Sequence, residues 1–185
     1  MRILVSDTSV LIDLERAQLL EATFALSWEF AVPDLLYKRE LRSHNGPELM
    51  RLGLRVESLD GDGVQTALEY QARVPALSLA DSFALALAKV NNWTLLAGDG
   101  ELRKLAASEA VDYHGVLWMF DQLLTQQAVA AEMLHRSLTT VASHPRCRLP
   151  VREVRERLEH YARVMRGEAQ SPSGDFMKDY RAFSA

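Results

Sequence analysis

The 185-residue sequence holds a single cysteine, Cys147, so no intramolecular disulfide can form and a reducing compartment is the expectation. It has no phosphate-cradling glycine loop and no Gly-x-Ser-x-Gly elbow, which removes the usual nucleotide-binding and serine-nucleophile signatures. His144 and Cys147 lie close in sequence, but one His and one Cys cannot close a zinc site. Long apolar runs are missing as well. The opening Met1-Arg2-Ile3-Leu4-Val5 turns polar at Ser6-Asp7, too short a stretch for a signal peptide, and nothing approaches transmembrane length. A soluble, cytoplasmic protein with no membrane contact is therefore expected. There is no internal repeat and no low-complexity tract.

What is present is ordinary globular composition, with 48% hydrophobic and 25% charged residues, enough to bury a core without staples. A net charge of −4 argues against a nucleic-acid partner until its distribution is considered. Residues 1–143 carry 12 Lys and Arg against 19 Asp and Glu, a balance of −7. Residues 144–166 carry seven arginines against three glutamates, a balance of +4. The chain thus reads as an acidic body with a basic arm.

Apolar runs at Ile3-Leu4-Val5, Phe30-Ala31-Val32 and Trp93 to Ala97, the alternation from Leu54 to Leu59 and, more weakly, Val111 to Tyr113 predict strands. Between them stand helical segments. One opens at Asp7-Thr8-Ser9, and one has Pro33 in its first turn and carries Glu40. A short one follows near 47–52, and another runs from Asp60 to about Arg73. The clearest spans Ser78 to about Val90, with a short one after Gly98-Asp99-Gly100 and another from Val116 to Leu124. This alternation predicts a three-layer α/β/α sandwich with a mostly parallel sheet over residues 1–125. Residues 126–166 read as a helical C-terminal extension, with helices near 127–141 and 150–166. Residues 167–185 read as a tail in which Phe176, Tyr180 and Phe183 could dock. The second of those helices carries an apolar stripe of Val151, Val154, Leu158, Tyr161 and Met165, with Glu153–Arg157 and Glu159–Arg163 spaced as surface pairs.

In an open parallel sheet, ligands bind at the carboxyl ends of the strands. Asp7 directly follows the first strand and Asp99 the fourth. Glu40 and Asp81 lie on helices able to reach the same edge. Four converging carboxylates repel and raise one another's pKa values, and hard cations such as Mg²⁺ or Mn²⁺ relieve the repulsion. Two such ions about 4 Å apart can activate water for phosphodiester hydrolysis. Each acid also has a plainer reading. Asp7 can cap a helix, Asp81 stands at capping-box spacing from Ser78, Glu40 can pair with neighbouring arginines, and Asp99 in Gly-Asp-Gly suits a turn. A covalent-nucleophile phosphohydrolase would need a second acid two residues past Asp7, where Ser9 stands.

The order and setting of the four acids resemble the PIN-domain family. Ile3 to Ile12 looks like its opening strand with catalytic Asp and small hydroxyl residue, and Val32-Pro33 through Glu40 is similar to its second acidic element. Leu79-Ala80-Asp81-Ser82 through Ala97-Gly98-Asp99-Gly100 resembles its paired-aspartate block. The resemblance covers about residues 1–125. It implies a Mg²⁺- or Mn²⁺-dependent ribonuclease in which Asp7, Glu40, Asp81 and Asp99 bind metal and Ser9 orients a carboxylate, a water or a phosphate. It further implies an RNA substrate and, for a toxin of a toxin–antitoxin pair, a homodimer neutralised by a small antitoxin protein. Ala97 departs from the family pattern, which places a Thr or Ser before the last aspartate. Glu101 is available nearby to assist or to decorate the helix start.

Lys38, Arg39, Arg42, Arg103 and Lys104 flank the predicted site and suit either RNA phosphates or a solvated helix face. His114 and Trp118 read as packing. The arginine-rich helix reads as packed on the body or as a contact for RNA or protein. The competing function is a catalytically weak or inactive PIN-like module that binds RNA or protein, a reading that Ala97 and the negative body both favour.

Overall fold

A computed structural model describes residues 3–168, so the predicted tail from 169 onward lies outside the described residues. Each predicted strand segment overlaps an observed strand: β1 (Ile3–Ser6), β2 (Glu29–Pro33), β3 (Arg55–Glu57), β4 (Thr94–Leu96) and β5 (Tyr113–His114), the last sharing only Tyr113 with its predicted segment. Every pairing is parallel, in the order β3-β2-β1-β4-β5. Leu4 stands opposite Phe30 on one side and Thr94 on the other, and Val5 opposite Ala31 and Leu95. Leu4, Val5, Phe30, Ala31, Leu95 and Leu96 are all essentially inaccessible to solvent. Burial on both faces explains why these strands read as continuous apolar runs rather than alternating ones. Each buried Leu, Val or Phe contributes about 1.5–3 kcal/mol.

The chain lays β2 and β3 on one side of β1, then crosses to place β4 and β5 on the other. The winding therefore reverses between β1 and β4. In open α/β sheets a crevice opens at that point, outside the strand ends, and it is where ligands bind.

The helices are α1 (Thr8–Arg16), α2 (Leu20–Phe24), α3 (Asp34–Leu36), α4 (Gly46–Arg51), α5 (Gly61–Arg73), α6 (Leu79–Asn91), α7 (Gly100–Ser108), α8 (Val116–Thr125), α9 (Ala131–Ser143) and α10 (Val151–Met165). Helix α6 packs against β1, β2 and β4. Its Ala80, Ala84, Ala86 and Ala88 are buried, and side chains this small let a helix lie close on a sheet. It ends at Asn92, whose φ of 54° is the left-handed conformation that stops a helix and that Asn tolerates. No helix among the described residues is long and apolar enough to cross a membrane.

Three local expectations are corrected. The Glu40 segment is not a simple α-helix, because α3 gives way to a π-helical turn, Tyr37–Leu41, closed by Arg42 N–H to the Tyr37 carbonyl at 2.8 Å. Pro33 precedes that helix rather than joining its first turn. Its φ of −63° suits either place, but its ψ of 146° keeps it in β2. The ninth helix starts at Ala131 rather than near 127, because Gln127, at φ 55°, and Ala128 turn back to the Leu124 and Leu123 carbonyls and finish α8.

The chain divides into two compact units, one formed by the residues up to Leu14 with Ser27–Val116, the other by Glu15–Leu26 with the chain from Leu117. The first contains the whole sheet. In the second, α9 and α10 pack on each other, and the stripe of α10 differs from the one predicted. Val151 and Met165 are exposed, while Arg157 joins Val154 and Tyr161 in the interior. The Arg157 guanidinium meets the buried Asp121 carboxylate through Nε at 3.0 Å and Nη2 at 2.6 Å. The expected Glu153–Arg157 pair survives only as a 3.6 Å contact, and Arg152–Glu156 at 2.8 Å is the closer surface pair.

Candidate active site

Strand β1 delivers Asp7 to the switch point. Its backbone N–H continues the ladder by donating to the Leu96 carbonyl at 2.9 Å. The residue is only 1% exposed. Its Oδ1 accepts from Ser9 Oγ at 2.8 Å and from the Val10 N–H at 2.9 Å, and its Oδ2 accepts from the Gly98 N–H at 2.7 Å. Burial lifts the carboxyl pKa to about 6. The bonds from Gly98, Val10 and Ser9 pull it back, and the charge of Asp81 pushes it further up.

Asp81 is half-buried in the first turn of α6. Ser78 Oγ donates to its Oδ2 at 2.8 Å, and the Asp81 N–H donates to Ser78 Oγ at 3.0 Å. Desolvation raises its pKa, and the neighbouring Glu40 and Asp99 charges raise it too. Asp99 caps α7, its Oδ1 accepting from the Glu101 and Leu102 N–H groups at 2.9 and 3.0 Å. Glu40, on the π-helical turn, accepts at Oε2 from Thr8 Oγ1. The Asp81 charge is therefore felt at Asp7, and the Glu40 and Asp99 charges at Asp81.

Three of the four sit in the first turn or cap of a helix: Asp7 at α1, Asp81 in α6 and Asp99 at α7. The positive ends of those helices offset part of the repulsion among the charges. The plain capping roles are real, but each uses one oxygen. Asp81 Oδ1, Asp99 Oδ2 and Glu40 Oε1 take no protein donor among the described residues.

Two contributors were not anticipated from the sequence. Thr8 was read only as part of a helix-start signal, and Gly98 only as a turn residue. At Gly98 the need for glycine is close approach rather than an unusual φ. An added Cβ would stand 2.0 Å from Ser9 Oγ. Gly98→Ala is expected to drive Ser9 Oγ off Asp7 and cost about 1–3 kcal/mol, and Ser9→Ala/Gly98→Ala to lose little more, because both changes remove the same hydrogen bond. Urea unfolding of the two variants checks this, and a double variant well below the single one would count against it.

Among the flanking cations, Lys38 pairs with Asp34 at 2.7 Å and Lys104 with Glu101 at 2.6 Å, both in exposed contacts. Glu101 stands in the first turn of α7 with Lys104 as its ion-pair partner. Arg103 Nε donates to the Ala97 carbonyl at 2.8 Å. Arg39 and Arg42 are exposed and take no ion-pair partner among the described residues. His114 Nε2 lies 3.7 Å from Asp112 Oδ2. Beside the π-helical turn, Lys38, Arg39, Ser58 and Phe83 help line a cavity of about 440 Å³.

The donors suit a hard divalent cation, being carboxylate oxygens with free lone pairs and no cationic partner among the described residues. No three His, Cys, Asp or Glu side chains among those residues form a group able to hold an ion by themselves.

The fold and this crevice define an α/β protein with a carboxylate site at the switch point of a parallel sheet. The sequence matches the PIN-domain family over residues 3–162, and the chain belongs to that family, which is generally a metal-dependent nuclease fold. The match runs on through most of α10. Among solved structures, the chain is similar to a PilT N-terminus domain protein from the hyperthermophilic archaeon Sulfolobus solfataricus P2. That likeness has 16% identity and a TM-score of 0.42, and it covers 75% of this chain and 94% of the other. No curated protein matches the sequence.

Proposed function

We propose that the protein is a divalent-metal-dependent endoribonuclease, with Asp7, Glu40, Asp81 and Asp99 as its metal-holding acids and Ser9 as the hydroxyl that fixes Asp7. The observation that carries this reading is the meeting of the Asp81 charge with those of Asp7, Glu40 and Asp99 at the switch point of the sheet, each carboxylate keeping an oxygen or lone pair to spare. Mg²⁺ or Mn²⁺ bound there would supply the positive charge that activates a water and stabilises the leaving oxygen of the phosphodiester. The chain's own part is to hold Asp7 through three hydrogen bonds and to offer the free oxygens of Glu40, Asp81 and Asp99. Arg39 and Arg42 are available to meet RNA phosphates against the acidic body. The same reading makes the protein the toxin of a toxin–antitoxin pair, acting as a homodimer held in check by a small protein.

Calorimetric titration with Mn²⁺, run beside RNA cleavage with and without chelator, tests the reading. Binding and chelator-sensitive cleavage are expected together. The competing reading, a PIN-like module that binds RNA or protein without cutting, draws on Ala97, on the Asp81 carboxylate that accepts from the capping Ser78 hydroxyl, and on the capping of α7 by Asp99. It is favoured instead if the protein takes up no Mn²⁺ and leaves RNA intact. For the toxin role, growth arrest on expression that a co-expressed adjacent small reading frame relieves is the expected outcome.

A further inference from the structure

The turn from β4 into α7 carries Gly98 and Asp99, two of the groups that build the crevice, yet Ala97 offers no side chain to hold it. Its backbone is held instead. The Ala97 N–H donates to the His114 carbonyl at 2.8 Å, the last ladder bond at this end of β4 and β5. Its carbonyl accepts from Arg103 Nε at 2.8 Å, one turn into α7. The Arg103 N–H in turn donates to the Asp99 carbonyl at 3.1 Å, so side chain and backbone of one residue grip both flanks of Gly98. The guanidinium lies in the space that a side chain at residue 115 would occupy. A Cβ on Gly115 would lie 2.3 Å from Arg103 Nη2 and 3.2 Å from its Cζ. Arg103 forms no ion pair among the described residues, so its half-buried charge is not spent on a carboxylate.

We infer that Arg103, seated on Gly115, is the positioning residue that locks the Ala97-Gly98-Asp99 turn so that the Gly98 N–H meets Asp7 and Asp99 faces the other acids. The assignment rests on the ribonuclease reading for its catalytic consequence but not for its geometry. Two measurements separate them. In Arg103→Ala the Gly98 amide is expected to exchange with solvent at least about tenfold faster while the amides of β1 keep their protection. In RNA cleavage the same variant is expected to lose about tenfold in kcat with KM within about twofold, and Arg103→Lys, which can still reach the Ala97 carbonyl, to recover most of it. Gly115→Ala should reproduce the loss from the other side. The double variant Arg103→Ala/Gly115→Ala should fall no further than either single one, because all three break one contact. Unchanged Gly98 exchange in Arg103→Ala, or losses in the two single variants that multiply, would overturn the inference. If the wild-type protein cuts no RNA, the ribonuclease reading fails while Gly98 exchange still decides the role of Arg103.

Discussion

Asp7→Asn is expected to reduce metal-dependent RNA cleavage by more than about a hundredfold while the protein stays folded. Losing a group that merely supports a metal ligand costs about 10–100-fold, so replacing a ligand itself should cost more. Folding survives because two effects of similar size oppose each other. The new amide loses the Gly98 N–H as a donor, which costs about 1–3 kcal/mol, but it also removes a charge that is expensive to bury. That second term follows from the Asp7 pKa of about 6 against 3.8 for a free side chain, a difference of about 3 kcal/mol.

The same shift fixes a pH dependence. Below pH 3.8 the carboxyl is protonated whether or not the chain is folded. Between 3.8 and about 6 the unfolded chain ionises while the folded one retains its proton, so stability falls as pH rises and then levels off. Chemical denaturation across pH 4–7 should show this loss in the wild type, a flatter profile in Asp7→Asn, and recovery on adding Mn²⁺ above pH 6. Cleavage by Asp7→Asn within tenfold of wild type would remove Asp7 from the site.

Arg157→Met is expected to destabilise the protein by about 3–5 kcal/mol, because it strands the Asp121 carboxylate, which is nearly inaccessible to solvent. Burial already pushes the Asp121 pKa above its ordinary value, and Arg157 is the main influence holding it down. For a chain of this length the loss corresponds to a fall in Tm of about 10 °C. Replacing both partners, as in Asp121→Leu/Arg157→Met, should restore most of it, since two apolar side chains need no compensation. A melting point for Arg157→Met within 2 °C of wild type would mean that the pair adds no stability. Arg157 therefore does not belong to a free basic arm. Arg152 and Arg166 are also paired, with Glu156 and Glu168, so fewer cations in 144–166 are open to a partner than the count of seven suggests.

Much of this was legible one-dimensionally. Strands buried on both faces have no polar side to show, so Ile3-Leu4-Val5 and Thr94-Leu95-Leu96 announce themselves as runs. Ser78, Asn91-Asn92 and Gly98-Asp99-Gly100 mark helix ends by local hydrogen bonding alone. What failed was whatever depends on a distant contact. The π-helical turn at Tyr37–Leu41 has the composition of an α-helix. Arg157 reads as surface because its partner stands 36 residues earlier.

Asp7, Asp81 and Asp99 are candidates in the sequence because a strand that ends on an acid, or a helix that opens on one, is a local pattern, whereas Glu40, inside the π-helical turn, carries no such mark. The working environment of the four is not local. The burial that lifts the Asp7 pKa, the Gly98 N–H that reaches it across 91 residues, and the Thr8 hydroxyl on Glu40 all arise where the winding of the sheet reverses between β1 and β4. Sequence sets which groups a segment can offer. Only the parallel pairing of β1 with β4 decides which of them meet, because hydrogen-bond reach is set in space and not along the chain.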